Sequence, residues 1–168
     1  MALKHLSLLV LLMLFEQQGF LFLGPDAQGA QLEGSKTYSK EFMDANGIPT
    51  ARYASFTDEA QARAYCEELG APLVVKADGL AAGKGVIVAE TLEVALDAVK
   101  ECFQGAFGEA GNRVVIEEML KGLNCSLLAF VSKGKAFCMA PAQDHKRAYD
   151  GDLGPNTGGM GFILLYLL

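Results

Sequence analysis

From Ser35 onward the chain alternates stretches of helical period with short apolar runs, and each change falls at a turn signal. "SKTYSKEFMDANGIPT" sets Tyr38, Phe42 and Met43 at helical spacing behind Ser35, a suitable N-cap, and "NGIP" ends it through Gly47 and Pro49. "ARYASF" alternates as a short strand. Thr57 is placed to cap the next helix, "DEAQARAYCEELG", which closes at Gly70. "PLVVKA" is a continuous apolar strand, and "GVIVAE" a second one reached through a glycine-rich loop. "TLEVALDAVKECF" carries Leu92, Ala95, Leu96 and Val99 on one helical stripe. "RVVIEEML" reads as a strand running into carboxylates, and "CSLLAFVSKGKAFCMA" as a hairpin turning at Lys133-Gly134. The expected fold is α/β in the α+β sense, because the glycine loop joins two strands directly and no helix crosses between them. No internal repeat or low-complexity tract interrupts the pattern.

The ends depart from it. Residues 1–18 have a basic start and an apolar run from Leu6 to Phe15, the length of a signal-peptide core, but no A-x-A-like cleavage site follows. The run is short for a bilayer span. A buried or non-native leader is the expectation, with a secretory signal as the alternative. "GFLFLGP" reads as a buried strand ending at Gly24-Pro25, and residues 19–34 as that strand plus a linker. The apolar end "FILLYLL", residues 162–168, follows a glycine-rich segment and would be an aggregation liability if exposed. Both ends are expected to reflect truncation, alternative splicing or a misplaced gene boundary.

Composition narrows the partners. The chain has 168 residues, 51% hydrophobic and 20% charged, enough for one domain with a core or for a domain plus part of another. A net charge of −6 with no Lys/Arg cluster argues against a nucleic-acid partner. Cys66, Cys102, Cys125 and Cys138 are scattered without a C-x-x-C. They read as thiols in a reducing compartment; a disulfide framework or a zinc site is the alternative.

The candidate chemistry centres on "KADGLAAGKGVIVAE", residues 76–90. It is not a P-loop of the G-x-x-x-x-G-K-[ST] kind. Gly79 and Gly83 are too close together, Gly85 stands where Ser or Thr is required, and the following "GVIVA" is β-branched rather than helical. The series does suit a nucleoside triphosphate held another way. Lys76, at a strand end, can supply a point charge to phosphates. Gly79, Gly83 and Gly85 allow positive φ and leave no Cβ between backbone and phosphate. "IEEML" can line an apolar adenine slot. Taken alone, the loop could equally be a plain hairpin turn beside a solvated lysine.

"LEGSK", "NGIPTA", "VVKADGLAAGKGVIVA", "VVIEE", "QDHKR", "DGD" and "GPNTGGMG" together resemble the phosphoribosylamine–glycine ligase (glycinamide ribonucleotide synthetase) family of ATP-grasp enzymes. The resemblance covers about residues 20–161. "KADGLAAGKGV" points to the superfamily, and "QDHKR" followed closely by "GPNTGGMG" narrows it.

The resemblance implies a partial ATP-grasp domain over residues 35–161, with the lid subdomain at about 50–120. It implies that Lys36 and Lys76 reach the ATP phosphates and the N7 side of adenine. The lid hairpin Gly79 to Val86, with Gly83, Lys84 and Gly85, would close over the phosphates. Glu117, Glu118 and Leu120 would read adenine largely through main-chain groups. Gln143 joins the ATP site; Lys146 and Arg147 become candidate catalytic residues, Lys146 stabilising charge on the γ-phosphate. Asp144, His145, Asn156, Thr157, Gly158 and Gly159 would hold substrate. Without the rest of the series, "DHKR" reads as a solvated charged turn and His145 as structural rather than catalytic. The implied reaction joins glycine to 5-phosphoribosylamine, giving glycinamide ribonucleotide, ADP and phosphate, with Mg²⁺ (or Mn²⁺) assisting, in the cytoplasm and away from membranes.

Three departures qualify it. The family's G-E-E-x-S becomes "GLNCS", so Leu123 replaces one acid and Asn124 the acid that holds the ribose; Asn still accepts a hydrogen bond, as a weaker neutral acceptor. The N-terminal Rossmann-like domain is represented at most by "GFLFLGP". "FILLYLL" stands where "AYSPAP" is expected, and the later "RFGDPE" with its magnesium-binding carboxylate/Asn pair does not occur. The chain is therefore expected to be the ATP-binding portion of the ligase and inactive by itself, with no metal ligand assigned to it. A non-catalytic nucleotide- or partner-binding fragment and another ATP-grasp carboxylate–amine ligase are the alternatives.

Overall fold

The structure, a computed structural model, describes residues 19, 24–79, 81, 85–122, 124–151 and 153–164. The leader 1–18, the expected strand at 20–23, Gly83, Lys84, Leu123 and residues 165–168 lie outside the described residues. The chain divides into two compact units, residues 1–81 with 85–119, and residues 82–84 with 120–168.

The first unit opens with α1 (Ala27–Gly34), where Asp26 accepts the Gly29 N–H, and α2 (Lys36–Ala45), where Ser35 Oγ accepts the Tyr38 N–H at 3.1 Å. Helix α1 thus occupies most of the stretch expected to be linker. Helix α2 ends as expected, with Gly47 at φ +64°, the left-handed region in which a glycine is cheapest. Then follow β1 (Tyr53–Phe56), α3 (Glu59–Leu69), β2 (Leu73–Ala77), β3 (Val86–Ala89), α4 (Leu92–Phe103), a short 3₁₀ turn (Gly108–Asn112) and β4 (Val114–Glu118). The cap of α3 is Asp58, whose carboxylate accepts the Gln61 N–H at 2.9 Å, and not Thr57. Asp and Thr both suit this position, and the chain turns into the helix one residue later than the pattern suggested.

The four strands form an antiparallel sheet in the order β1-β4-β2-β3. Leu73, Val75, Ala77, Val114 and Ile116 point to one face and are enclosed with Ala62 and Cys66 of α3 and Ala95, Ala98, Val99 and Cys102 of α4. A β-branched or Leu side chain removed from water in this way contributes about 1.5–3 kcal/mol. The stripe of α4 is rotated slightly from expectation, with Ala98 and Cys102 buried and Leu92 and Leu96 at its margin. Burial pushes the Cys66 and Cys102 thiols up to about 11, so both stay as inert thiols in the core. The opposite face carries Val74 and Lys76 of β2 with Val115 and Glu117 of β4.

The second unit is two antiparallel pairs. β5 (Ala129–Ser132) and β6 (Lys135–Cys138) turn at Lys133 (φ 49°) and Gly134 (φ 72°), the left-handed pair of a tight hairpin. β7 (Ala142–Tyr149) pairs with β8 (Leu153–Leu164), and Ser126 bridges to Ala142. The "GPNTGGMG" segment is part of strand β8. Residues 162–164 of the apolar end continue the same strand.

Candidate functional site

In the first unit, Lys76 stands at the end of β2, on the sheet face away from the helices. Its ammonium contacts Glu117 Oε1 across the β2–β4 pair, and its side chain is 26% exposed. Glu117 is buried, with its other oxygen against the ammonium of Lys40. Lys40 in turn donates to Thr50 Oγ1 at 2.7 Å and lies 5.3 Å from the centre of the Tyr53 ring. One carboxylate therefore serves two lysines. Burial pulls Lys76 down to about 8, and the neighbouring cations Lys40 and Lys36 push the same way. Burial also lowers Lys40, opposed by Asp44 and Glu118. Tyr53 is raised to about 12 by burial and by the hydrogen bond its hydroxyl donates to Asp44.

The glycine turn is anchored at its base by Asp78. Its carboxylate accepts the Thr37 N–H at 2.6 Å and the Ser35 hydroxyl at 3.1–3.2 Å, and its carbonyl accepts the Lys36 N–H at 3.1 Å. Lys36 Nζ donates to the carbonyl of Gly79 at 3.0 Å, within reach of the Asp78 carbonyl at 3.4 Å. Burial lowers Lys36, against the pull of Asp78 and Glu33. On the far side, the Ala77 N–H donates to the Gly85 carbonyl at 2.8 Å, carrying the β2–β3 ladder to the mouth of the turn, and Val86 follows opposite Lys76.

The reason for glycine here differs from the one the sequence suggested. Neither Gly79 nor Gly85 has positive φ. A Cβ on Gly79 would lie 2.9 Å from Ala110 Cβ, and one on Gly85 2.6 Å from Ala81 Cβ and 3.2 Å from Ala77 Cβ. The backbone at these two glycines is packed tightly against its own chain, and a Cβ at either would force a neighbour to shift.

At the end of β4 the two carboxylates diverge, as neighbours in a strand must. Glu117 goes to the lysines. Glu118 turns to the β1 side, accepting the Arg52 N–H at 2.8 Å while its own N–H donates to Arg52 O at 3.0 Å.

In the second unit Leu120 and Asn124 are exposed. Gln143, Asp144, His145, Lys146 and Arg147 run along β7, while Asn156, Thr157, Gly158 and Gly159 lie on β8. For Lys146, Asn156, Gly158 and Gly159 the description is of the backbone alone. His145 pairs with Gly161 and Arg147 with Asn156, so two steps along β7 match five along β8, and Thr157 to Met160 bulge from the ladder. Arg147 Nη1 donates to the Gly154 carbonyl at 2.6 Å across the base of this bulge. A cleft of about 430 Å³ opens there, lined by His145, Arg147, Tyr149, Asp150, Met160 and Phe162 among others. The pairing of β7 with β8 thus brings "QDHKR" and "GPNTGGMG" together. Among the described residues no group of three or more His, Cys, Asp or Glu side chains gathers to hold a metal ion. No helix of the described residues is long and apolar enough to cross a membrane.

Reasoning from the sequence missed Lys40, Thr50 and Asp78. Lys40 had a signal: it follows Lys36 by one helical turn and so shares its face. Asp78 had none beyond its place beside Lys76.

Residues 34–166 match the family described as phosphoribosylglycinamide synthetase, ATP-grasp (A) domain. The phosphoribosylamine–glycine ligase of Streptococcus pneumoniae serotype 4 is 57% identical over 148 residues, covering 88% of this chain and 35% of the relative. That of Xanthomonas campestris is 58% identical, covering 88% of this chain and 34% of its own length. The chain thus spans about a third of the curated relatives it matches. The crystal structure of the Thermotoga maritima phosphoribosylamine–glycine ligase superposes with a TM-score of 0.79 at 38% identity, over 87% of this chain and 38% of that one. D-alanyl-alanine synthetase A of Vibrio cholerae shares the fold, with a TM-score of 0.67 at 23% identity over 84% of this chain and 41% of that one. With the family match running through both units, the chain belongs to the phosphoribosylglycinamide synthetase ATP-grasp (A) domain family.

Proposed function

We propose that this chain carries ATP-binding elements of a phosphoribosylamine–glycine ligase, and that the polypeptide to which they belong joins glycine to 5-phosphoribosylamine. The observation that carries the reading is the convergence of Lys36, Lys76 and the tightly packed glycine turn at one end of a sheet. Two cations beside a glycine-rich turn fit a polyphosphate: the ammonium groups offset its charge, and backbone N–H groups of such a turn can donate to its oxygens. In this reading main-chain groups of Glu117 to Leu120 read the adenine edge, Asn124 accepts from the ribose, and Gln143 joins the nucleotide site. Asp144, His145, Asn156, Thr157, Gly158 and Gly159 hold substrate, and Lys146 and Arg147 are the candidates to offset the charge that develops on the transferred group.

The ligation proceeds in two balanced steps. A glycine carboxylate oxygen attacks the γ-phosphorus and the bond to ADP breaks, giving glycyl phosphate. The amine of phosphoribosylamine then attacks the acyl carbon, phosphate leaves with the bonding pair, and the amine loses a proton as the amide forms. Lysine and arginine side chains act here by position and charge, the main means of lowering a phosphoryl-transfer barrier. Magnesium bound with the nucleotide supplies further charge neutralisation. Competitive titration against a fluorescent ATP analogue tests the nucleotide reading. ATP should displace the analogue at lower concentration than GTP; equal displacement by the two would overturn it.

A further inference from the structure

We propose that Lys40 and Glu117 are a buried positioning pair that holds the ammonium of Lys76 toward the phosphates of the nucleotide; the inference rests on the ATP-site reading above. The three groups are not equivalent. Glu117 takes one lysine on each oxygen and its side chain is only 6% exposed. Lys40, 11% exposed, is enclosed from several directions: Glu117 of β4, the Thr50 hydroxyl and the ring of Tyr53 on β1. Among the described residues Lys76 has one ion-pair partner, Glu117, and it is the more exposed of the two cations.

A buried carboxylate needs one cation to balance it; a second leaves the cluster with an excess positive charge. That excess resides on the lysine with unused N–H donors and access to solvent, which is Lys76. Lys40 thereby has two effects. It occupies Oε2 and so fixes the rotamer of Glu117, and it keeps half of the carboxylate from Lys76, whose charge stays available to an incoming anion. Among the described residues the charges that act on Lys76 are Lys36 and Lys40 from α2 and Glu117 from β4; Asp44, Glu118 and the Tyr53 ring face Lys40, Asp78 and Glu33 act on Lys36, and β3 brings Val86 and Val88 opposite Lys76 and Val74.

The test reads the protonation of Lys76 without nucleotide, by competitive amine acylation across pH and mass spectrometry of the Lys76 peptide. It then reads ATP affinity across the same range. Glu117→Gln removes the counter-charge and should lower the Lys76 midpoint; Lys40→Met removes a competing cation and should raise it, each by about one unit or more. The pH at which ATP affinity declines should move with the midpoint in each variant, and Lys40→Arg should restore wild-type behaviour. A merely structural pair would weaken binding at every pH with no opposed shifts. If Glu117→Gln does not fold, the comparison of Lys40→Met with Lys40→Arg decides: an upward shift with Met and none with Arg supports the proposal. Midpoints that stay put, or move in the same direction in Glu117→Gln and Lys40→Met, while the wild type binds ATP, overturn it. If the midpoints split but the wild-type chain binds no ATP at any pH, the nucleotide reading has failed and the positioning role falls with it.

Discussion

The backbone N–H of Thr37 donates to the carboxylate of Asp78 at 2.6 Å, so the residue that opens the glycine turn also occupies the N-terminus of α2. The helix offers unpaired N–H groups and a positive dipole end, and a carboxylate satisfies both. Asp78→Ala should therefore destabilise the first unit by roughly 1.5–3 kcal/mol, the usual worth of a hydrogen bond to a charged group. Urea unfolding measures the loss. Hydrogen exchange at Lys36 and Thr37 should quicken in the variant; unchanged exchange would show the contact to be dispensable.

Lys76→Met should weaken ATP binding by roughly 1.5–3 kcal/mol, or about 10- to 150-fold in Kd. The fold should survive, because Glu117 keeps the Lys40 ion pair. Titration with a fluorescent analogue, alongside a thermal melt, separates the two effects. Normal affinity in the variant would reduce Lys76 to a strand-end lysine with no ligand.

The Lys76 ammonium, lowered to about 8 from 10.5, predicts opposite pH trends for binding and stability. An anionic nucleotide prefers the protonated form, so affinity should be level below about pH 7 and fall as pH rises through 8. Between about 8 and 10.5 the unfolded chain holds a proton at this lysine that the folded chain has released. Linkage then makes this group's contribution to stability rise with pH over that window. Binding isotherms and urea midpoints from pH 6.5 to 10 check both signs, and Lys76→Met should abolish the affinity trend.

Gly111 and Gly79 differ in what a side chain would meet. A Cβ on Gly111 runs into the carbonyl oxygen of Cys102, a backbone atom at the end of α4, whereas one on Gly79 meets the Ala110 methyl at 2.9 Å. Overpacking typically costs 1–3 kcal/mol, with about the upper value expected for Gly111→Ala and the lower for Gly79→Ala. Denaturation of the two variants side by side gives the ranking.

Asp58, not Thr57, caps α3. Asp58→Ala should cost about 1 kcal/mol of stability, and Thr57→Ala close to none. Equal losses would return the cap to Thr57.

Much of this protein is legible along the chain because the signals are local. The helix of Tyr38, Phe42 and Met43, the strand–glycine–strand series and the Lys133-Gly134 turn each depend on residues close together, whose periods and φ preferences hold wherever the segment lies. Family membership was legible for the same reason: "VVKADGLAAGKGV" and "QDHKR" are contiguous words. What the sequence could not decide depends on which strands become neighbours. The order β1-β4-β2-β3 puts Glu117 beside Lys76, and Asp78 meets Thr37 across 41 residues of chain. Lys40 becomes part of the site only because α2 lies close enough to that sheet face for its ammonium to reach Glu117. Gly79 and Gly85 were read for their freedom of φ, and in the fold they are glycines because Ala110, Ala81 and Ala77 leave no room. A sequence carries conformational preference residue by residue, but steric room and charge pairing belong to groups that only tertiary packing brings within a few ångströms.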